Sequence, residues 1–340
     1  MTSAVAAWQK DTRRLFSYSS VAGPLATFII VFGLFSLFVP NFFTLRSISG
    51  IINAATLVGV VTIGVTMLMI AGEFDLSVGS LVAMGGLIYA MGAAERGLPL
   101  VGLALALVVT GALGALNGLI LVWTRIPSFI VTLGTRSIYR GLVWLLSGGA
   151  MLQVVEELPI YAIFNGRFDW LNEPLKAIVN QPVNFRTSCL WWLGLVILGQ
   201  YILVRTRYGN HVFAVGGNPG AATAQGVNVK WVKIVSFIMT GVLSGFAGVL
   251  LFSQFKTVRV ATGAGMELDA IAAAVVGGAL LTGGSGSIWG ALIGVLLIST
   301  LRTGVVLLDL PFIPADNFPA IVGVTIVAAA VLNNWFRSRA

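Results

Sequence analysis

The chain has 340 residues, of which 57% are hydrophobic and 9% charged, with a net charge of +8 and a mean hydropathy of +0.96. A soluble domain carries roughly a quarter charged residues, so this composition excludes one and predicts an all-α polytopic membrane protein. At about 20 residues per crossing the length allows roughly ten helices, and the single Cys189 and single His211 argue against an internal disulfide, a metal site or a histidine relay.

Lys10, Arg13 and Arg14 precede the first apolar run without a small-residue cleavage site, which predicts a cytoplasmic segment 1–22 and an uncleaved first helix. Apolar spans are expected over 23–39, 48–71, 76–94, 98–124, 128–147, 188–204, 231–252, 269–282, 286–308 and 317–336. Pro24 and Pro99 stand near helix starts, where proline is tolerated, and Pro127 opens the fifth span. The eighth span is short and ends in Gly283-Gly284-Ser285-Gly286, which suggests a broken or re-entrant helix. Gly241-x-x-x-Gly245 and Gly290-x-x-x-Gly294 read as helix-packing faces.

The loops set an orientation. With the N-terminus inside, the inner segments hold Arg125, Arg205, Arg207, Lys230, Lys233, Arg337 and Arg339, whereas the outer segments hold more acids than bases. This obeys the positive-inside rule and assigns both termini to the cytoplasm, which requires an even number of crossings. The net positive charge then belongs to these loops rather than to a nucleic-acid surface. Of two long connections, the outer one (148–187) mixes Glu156, Glu157, Arg167, Asp169, Glu173, Lys176 and Arg186 with Trp170 and prolines, and suggests a small ordered cap. In the inner one (205–230), Asn218 is placed to cap a short helix with Pro219 first, Ala221 and Ala222 inside, and Gly226 ending it. So short a helix is unstable alone and makes sense docked on a partner, with a surface linker as the plainer alternative.

Two acidic motifs stand where apolar runs break: Gly72-Glu73-Phe74-Asp75-Leu76-Ser77-Val78-Gly79, and Met266-Glu267-Leu268-Asp269. Carboxylates at membrane depth are costly unless they face protein or water. Both motifs read Glu-x-Asp, open the third and eighth spans, and precede small residues. Five spans before the long outer loop and five after it would invert the second half relative to the first, the signature of a duplicated transporter.

Catalytic chemistry is not written in the sequence: no nucleophile–base pair, metal cluster, dinucleotide fingerprint or phosphate loop appears. The chain reads as a non-enzyme, and any ATP-driven work falls to another chain. Polar residues within spans include Asn53, Thr62, Thr66, Asn117, Thr132, Ser137, Ser299 and Thr303, and the intramembrane cations are Arg136, Arg140 and Arg302. For a single Ser or Thr, a bond to its own helix backbone is the commoner role. Arg136 and Arg140 lie one turn apart on one face.

Four blocks in order carry a family likeness. Gly72 to Ser80, Pro127 to Thr135 (Pro-Ser-Phe-Ile-Val-Thr-Leu-Gly-Thr), Gly216 to Ala222 (Gly-Gly-Asn-Pro-Gly-Ala-Ala) and Met266 to Gly290 together resemble the membrane permeases of bacterial ribose-, xylose- and galactose-type ABC importers. Phe74 stands where an aliphatic or small residue is usual, and 151–187 is longer than in the simplest members. The resemblance covers about 24–335 and implies a single transmembrane permease domain in the bacterial inner membrane. It further implies a second permease copy, a cytoplasmic ABC ATPase that binds ATP, a periplasmic binding protein, and no cofactor in the chain itself. Its substrates are pentoses, hexoses, polyols and related neutral solutes. Gly216, Gly217, Asn218, Pro219, Ala221, Ala222 and Gly226 would form the coupling helix that meets the ATPase.

On this reading Asn53, Asp75, Asn117 and Thr132 are the candidates to line or gate the path. Glu73, Glu267 and Asp269 are structural or gating acids, and Glu73 and Glu267 are expected to fix helix ends or to pair with Arg136 or Arg302. An ion- or proton-coupled secondary transporter would also carry inverted repeats and buried carboxylates, but would work without an ATPase. An integral membrane enzyme lacks a catalytic constellation at any span end.

Overall fold

The computed structural model describes residues 21–95, 97–155 and 157–308, with 320, 323 and 324. The segment before residue 21 and nearly all of the span expected over 317–336 lie outside the described residues. The first helix, α1 (Val21–Phe38), stands at the edge of the bundle. After Pro40 the chain folds back, and the Phe42 ring meets Phe32 and Phe35 with centroids 5.4 and 5.3 Å away. Thr44 then caps α2 (Leu45–Ile70), its hydroxyl accepting the Ser47 N–H at 3.2 Å. This helix is apolar around its whole circumference and buried over most of its length, as a central helix must be.

Helix α3 (Val78–Ala90) is equally buried and finishes in a π turn, Met91–Glu95. Then come α4 (Pro99–Thr124), with Pro99 in its first turn, and α5 (Ser128–Ser147). The outer segment is ordered: β1 (Leu152–Gln153), α6 (Pro159–Asn165) and α7 (Asp169–Val179) fold over the bundle. Buried Asn165 fastens it, donating to the Leu250 carbonyl at 2.9 Å and accepting from Ser188 Oγ at 2.8 Å. The charges of Arg167, Asp169, Glu173 and Lys176 lie on its outside.

Helix α8 (Ser188–Arg205) leads to the inner connection. There Thr206 caps α9 (Arg207–Gly217), a helix the sequence reading did not anticipate, and Asn218 caps α10 (Pro219–Ala224) by accepting the Ala221 N–H at 2.9 Å. Gly226 follows at φ 81°, the left-handed conformation that glycine adopts without strain. Then α11 (Val229–Phe255) crosses the bundle and β2 (Thr257–Val258) pairs antiparallel with β1. The last described helices are α12 (Met266–Val276) and α13 (Ile288–Leu308).

Among the described residues, α1, α2, α4, α8, α11 and α13 are long and apolar enough to cross a membrane. Helix α5 has 20 residues but carries Arg136 and Arg140. Helix α12 has only 11, about 16 Å, or half a hydrocarbon core. Its bounds differ from the expected 269–282. Glu267 and Asp269 lie within the first turn, where the positive helix end favours carboxylates, and Gly277-Gly278 stop the helix early. The turn-rich segment 259–265 leads into it and runs back along α3, with Gly263 against Val82.

Helix α11 lies along α2, α3 and α4, while α2 lies along α8, α11, α12 and α13. Small residues allow the approach, as expected where lipid leaves packing to hold helices together. A Cβ on Gly64 would fall 2.7 Å from the Thr240 Cα, and one on Gly118 would fall 2.9 Å from the Ile234 Cα. Each predicted packing motif makes close helix contacts: Gly245 meets Gly85, Gly241 meets Gly114, and Gly290 and Gly294 meet Gly277.

Candidate functional site

The first acidic motif fills the turn between α2 and α3. Gly72 has φ 85°, a value that favours glycine, and turns the chain so that Glu73 reaches Lys233 on α11 in an ion pair. Asp75 is fully buried. Its Oδ1 accepts from the Ser77 N–H at 2.8 Å and from Ser77 Oγ at 2.6 Å, while its Oδ2 has no partner. The chain of bonds continues upward. Asn117 Nδ2 of α4 donates to Ser77 Oγ at 2.9 Å, and Tyr139 Oη of α5 donates to Asn117 Oδ1 at 2.8 Å. Thus α3, α4 and α5 are joined through a buried polar network whose members lean on one another.

The second motif opens α12. Glu267 is buried and pairs with Arg136 Nη2 of α5 at 2.7 Å, and Asp269 pairs with Arg302 Nη2 of α13 at 3.0 Å. One turn beyond Arg136, Arg140 Nη1 donates to the carbonyls of Val260 and Thr262 at 2.5 and 2.7 Å, holding the turn-rich segment against α5. The motifs touch at Gly79, where a side chain would collide with the Glu267 carboxylate and the Gly263 carbonyl. Both glutamates reach across the midpoint of the chain: Glu73 to Lys233, and Glu267 back to Arg136.

The expected pathway residues do not share one place. Asp75 and Asn117 are linked through Ser77. Thr132, buried on α5, donates to its own helix at Ser128 O, 2.8 Å away, as Thr62 and Thr66 do on α2. Asn53 lies at the far end of α2, where its Nδ2 donates to Asn184 O at 2.6 Å and so anchors the outer cap. Sequence reasoning did not single out Lys233, Ser77 or Tyr139 as site residues, and it marked Arg140 as an intramembrane cation without its carbonyl partners. Of the first three only Ser77, inside the motif, carried a local signal.

The inner connection docks on this site. Gly284 N donates to Ile70 O at 2.8 Å, Gly283 lies against Gly72, and Gly284 lies against Gly217. A side chain at Gly216 would collide with Ile70 O. The end of α9 therefore rests directly on the turn that carries Glu73 and Asp75, and α10 projects beyond it. Pro219, Gly220, Ala221, Thr223 and Ala224 are exposed, and Ala222 is buried against the bundle.

Comparison with known proteins gives these features a setting. Residues 47–330 match the family described as branched-chain amino acid transport system / permease component. The chain is 34% identical over 290 residues to the L-arabinose ABC transporter permease protein AraH of Azospirillum brasilense, covering 85% of this chain and 81% of that one. It is 31% identical over 312 residues to the ribose import permease protein RbsC of Escherichia coli K12, covering 91% of each. It is 34% identical over 290 residues to the autoinducer 2 import system permease protein LsrC of Yersinia pseudotuberculosis, covering 84% of this chain and 78% of that one. No solved structure matches. A mainly helical bundle with apolar spans, matched to permeases over nearly its whole length, this chain belongs to the family of membrane permeases that serve bacterial sugar-type ABC importers.

Proposed function

We propose that this chain is the inner-membrane permease of an ATP-driven importer for a small neutral sugar or polyol. A second copy, a cytoplasmic ABC ATPase and a periplasmic binding protein complete the assembly, and ATP is bound by the ATPase alone. The observation that carries the reading is the stack of Gly216-Gly217 on Ile70, Gly72 and Gly283-Gly284, which gives α10 a short rigid route to the acidic motifs. Movement of α10 by the ATPase tilts the turn bearing Glu73 and Asp75. Through Ser77, Asn117 and Gly79 that tilt reaches α4, α5 and the start of α12.

Ten crossings in two inverted halves, with both termini in the cytoplasm, fit the exchange of partners between α2 and α11. The first packs on α12 and α13, the second on α3 and α4. The path then runs beside α5 and α12, with Asp75, Asn117 and Thr132 as gating groups and Asn53 as the tether of the outer cap. Weak polar contacts suit a solute that must leave as readily as it enters. The ion-coupled alternative draws no support from the relatives.

Coupling is tested at α10. Ala221→Trp adds bulk to an exposed position, so the chain should reach the membrane in normal amount while uptake falls at least about tenfold. Ala222→Trp, at a buried position, should lower the amount of folded chain instead. Normal uptake by the Ala221→Trp variant would remove the coupling assignment.

A further inference from the structure

A concave surface that shares Glu73 and Lys233 with the acidic network lies at the end of the bundle that carries α10. The C-terminus of α4, the link Arg125–Pro127 and the first turn of α11 enclose a cavity of about 300 Å³, lined among others by Glu73, Leu121, Arg125, Ile126, Lys230 and Lys233. Arg125 stands at the left-handed end of α4, with φ 59°, and its side chain is exposed, as is that of Lys230. Among the described residues neither has an ion-pair partner. Lys233 lines the same cavity and is held by Glu73. Three cations therefore face one carboxylate.

The remaining wall is apolar, formed by Leu121, Val122 and Ile126. Trp123 on α4 and Trp231 on α11, each next in sequence to a lining residue, are 76% and 60% exposed. Tryptophan settles at headgroup depth, so the pair marks this cavity as interfacial. A soluble anion needs the cations alone. A cationic rim continuous with an apolar wall, with an exposed tryptophan adjacent in the sequence of α4 and of α11, fits a ligand with a phosphate and an acyl chain.

We propose that this cavity binds an anionic phospholipid, with Arg125 and Lys230 holding the phosphate and the acyl chain lying along Leu121, Val122 and Ile126. The bound phosphate draws on Lys233 and so competes with Glu73, which links the lipid to the turn that carries Asp75. Assigning the lipid to the inner leaflet rests on the orientation proposed above. The binding itself does not.

The test is native mass spectrometry of the full chain purified in detergent, with added dioleoylphosphatidylglycerol, dioleoylphosphatidylcholine or inorganic phosphate. The wild type should retain the phosphatidylglycerol in preference to the phosphatidylcholine. The double variant Arg125→Gln/Lys230→Gln should bind phosphatidylglycerol roughly thirtyfold more weakly, the effect of two interfacial cations. Arg205→Gln/Arg207→Gln, which removes equal charge from the same end of the bundle but outside the cavity, should retain it as the wild type does. Ile126→Trp fills the apolar wall without touching a charge. It should also lose the lipid, and it serves if the double variant does not fold. Equal retention by the cavity variants and the wild type overturns the proposal, and so does displacement of the lipid by millimolar phosphate. Retention read in detergent depends on neither coupling nor topology, so failure of the importer reading would leave this result standing, and the converse holds.

Discussion

Glu267 and Arg136 form one ion pair across two environments, with side-chain exposures of 1% and 37%. Removing one partner of a buried pair costs most when a buried charge is left behind. Arg136→Gln strands the Glu267 carboxylate and should destabilise the fold by about 3 kcal/mol. Glu267→Gln removes the buried charge and leaves a guanidinium that reaches water, so its cost should be nearer ~1 kcal/mol, that of an exposed pair. Thermal unfolding of both variants in nanodiscs reads the difference. Equal costs, or the reverse order, would mean that Arg136 faces lipid rather than an aqueous path. Asp75 poses the complementary question. Asn keeps an acceptor for the two Ser77 bonds, so Asp75→Asn should leave stability within about 1 kcal/mol. If Asp75 gates, uptake should fall at least about tenfold, and unchanged uptake would remove it from the mechanism.

Among elements, α12 and its approach are the least ordinary part of the fold. The turn-rich segment 259–265 leaves its carbonyls to be satisfied by something other than a helix, and Arg140 supplies two of those bonds. Gly79 permits this segment to lie against α3. A Gly79→Ala change would drive a Cβ into the Gly263 carbonyl and the Glu267 carboxylate, so it should lower both folded yield and uptake. Normal yield and uptake would show that the segment moves freely. Much of the element structure was readable locally. Apolar runs marked the spans, Asn218 caps α10 as its position suggests, and Gly226 follows its end, whereas the Thr44 cap that starts α2 at Leu45 rather than at 48 was not read. The partners of the acids were not readable in that way. Lys233 lies 160 positions from Glu73 and Val260 lies 120 from Arg140, and no local spacing encodes pairs so distant. The shortness of α12 was visible, but its end was placed at Gly283-Gly284 rather than at Gly277-Gly278, where the helix stops. Its start was misjudged because two acids read as a break in an apolar run, although they suit a helix's first turn.

At the scale of the molecule, the crossed pairs Glu73–Lys233 and Glu267–Arg136 tie α5 and the turn before α3 to α11 and α12, joining helices from the two halves of the chain. Orientation can be read with single cysteines in a Cys189→Ser background. Trp170→Cys on the outer cap, a position 75% exposed, should react with a membrane-impermeant maleimide in intact spheroplasts. Thr223→Cys on α10 should react only after permeabilisation. The opposite pattern would invert the topology and move α10 away from any cytoplasmic ATPase. If a partner's ATP drives this permease, purifying the tagged chain from native membranes, identifying what accompanies it and reconstituting it should recover an ABC ATPase in the complex, with no solute movement by the chain alone. A chain that purifies by itself and moves solute in proteoliposomes without ATP would contradict an ATP-driven permease.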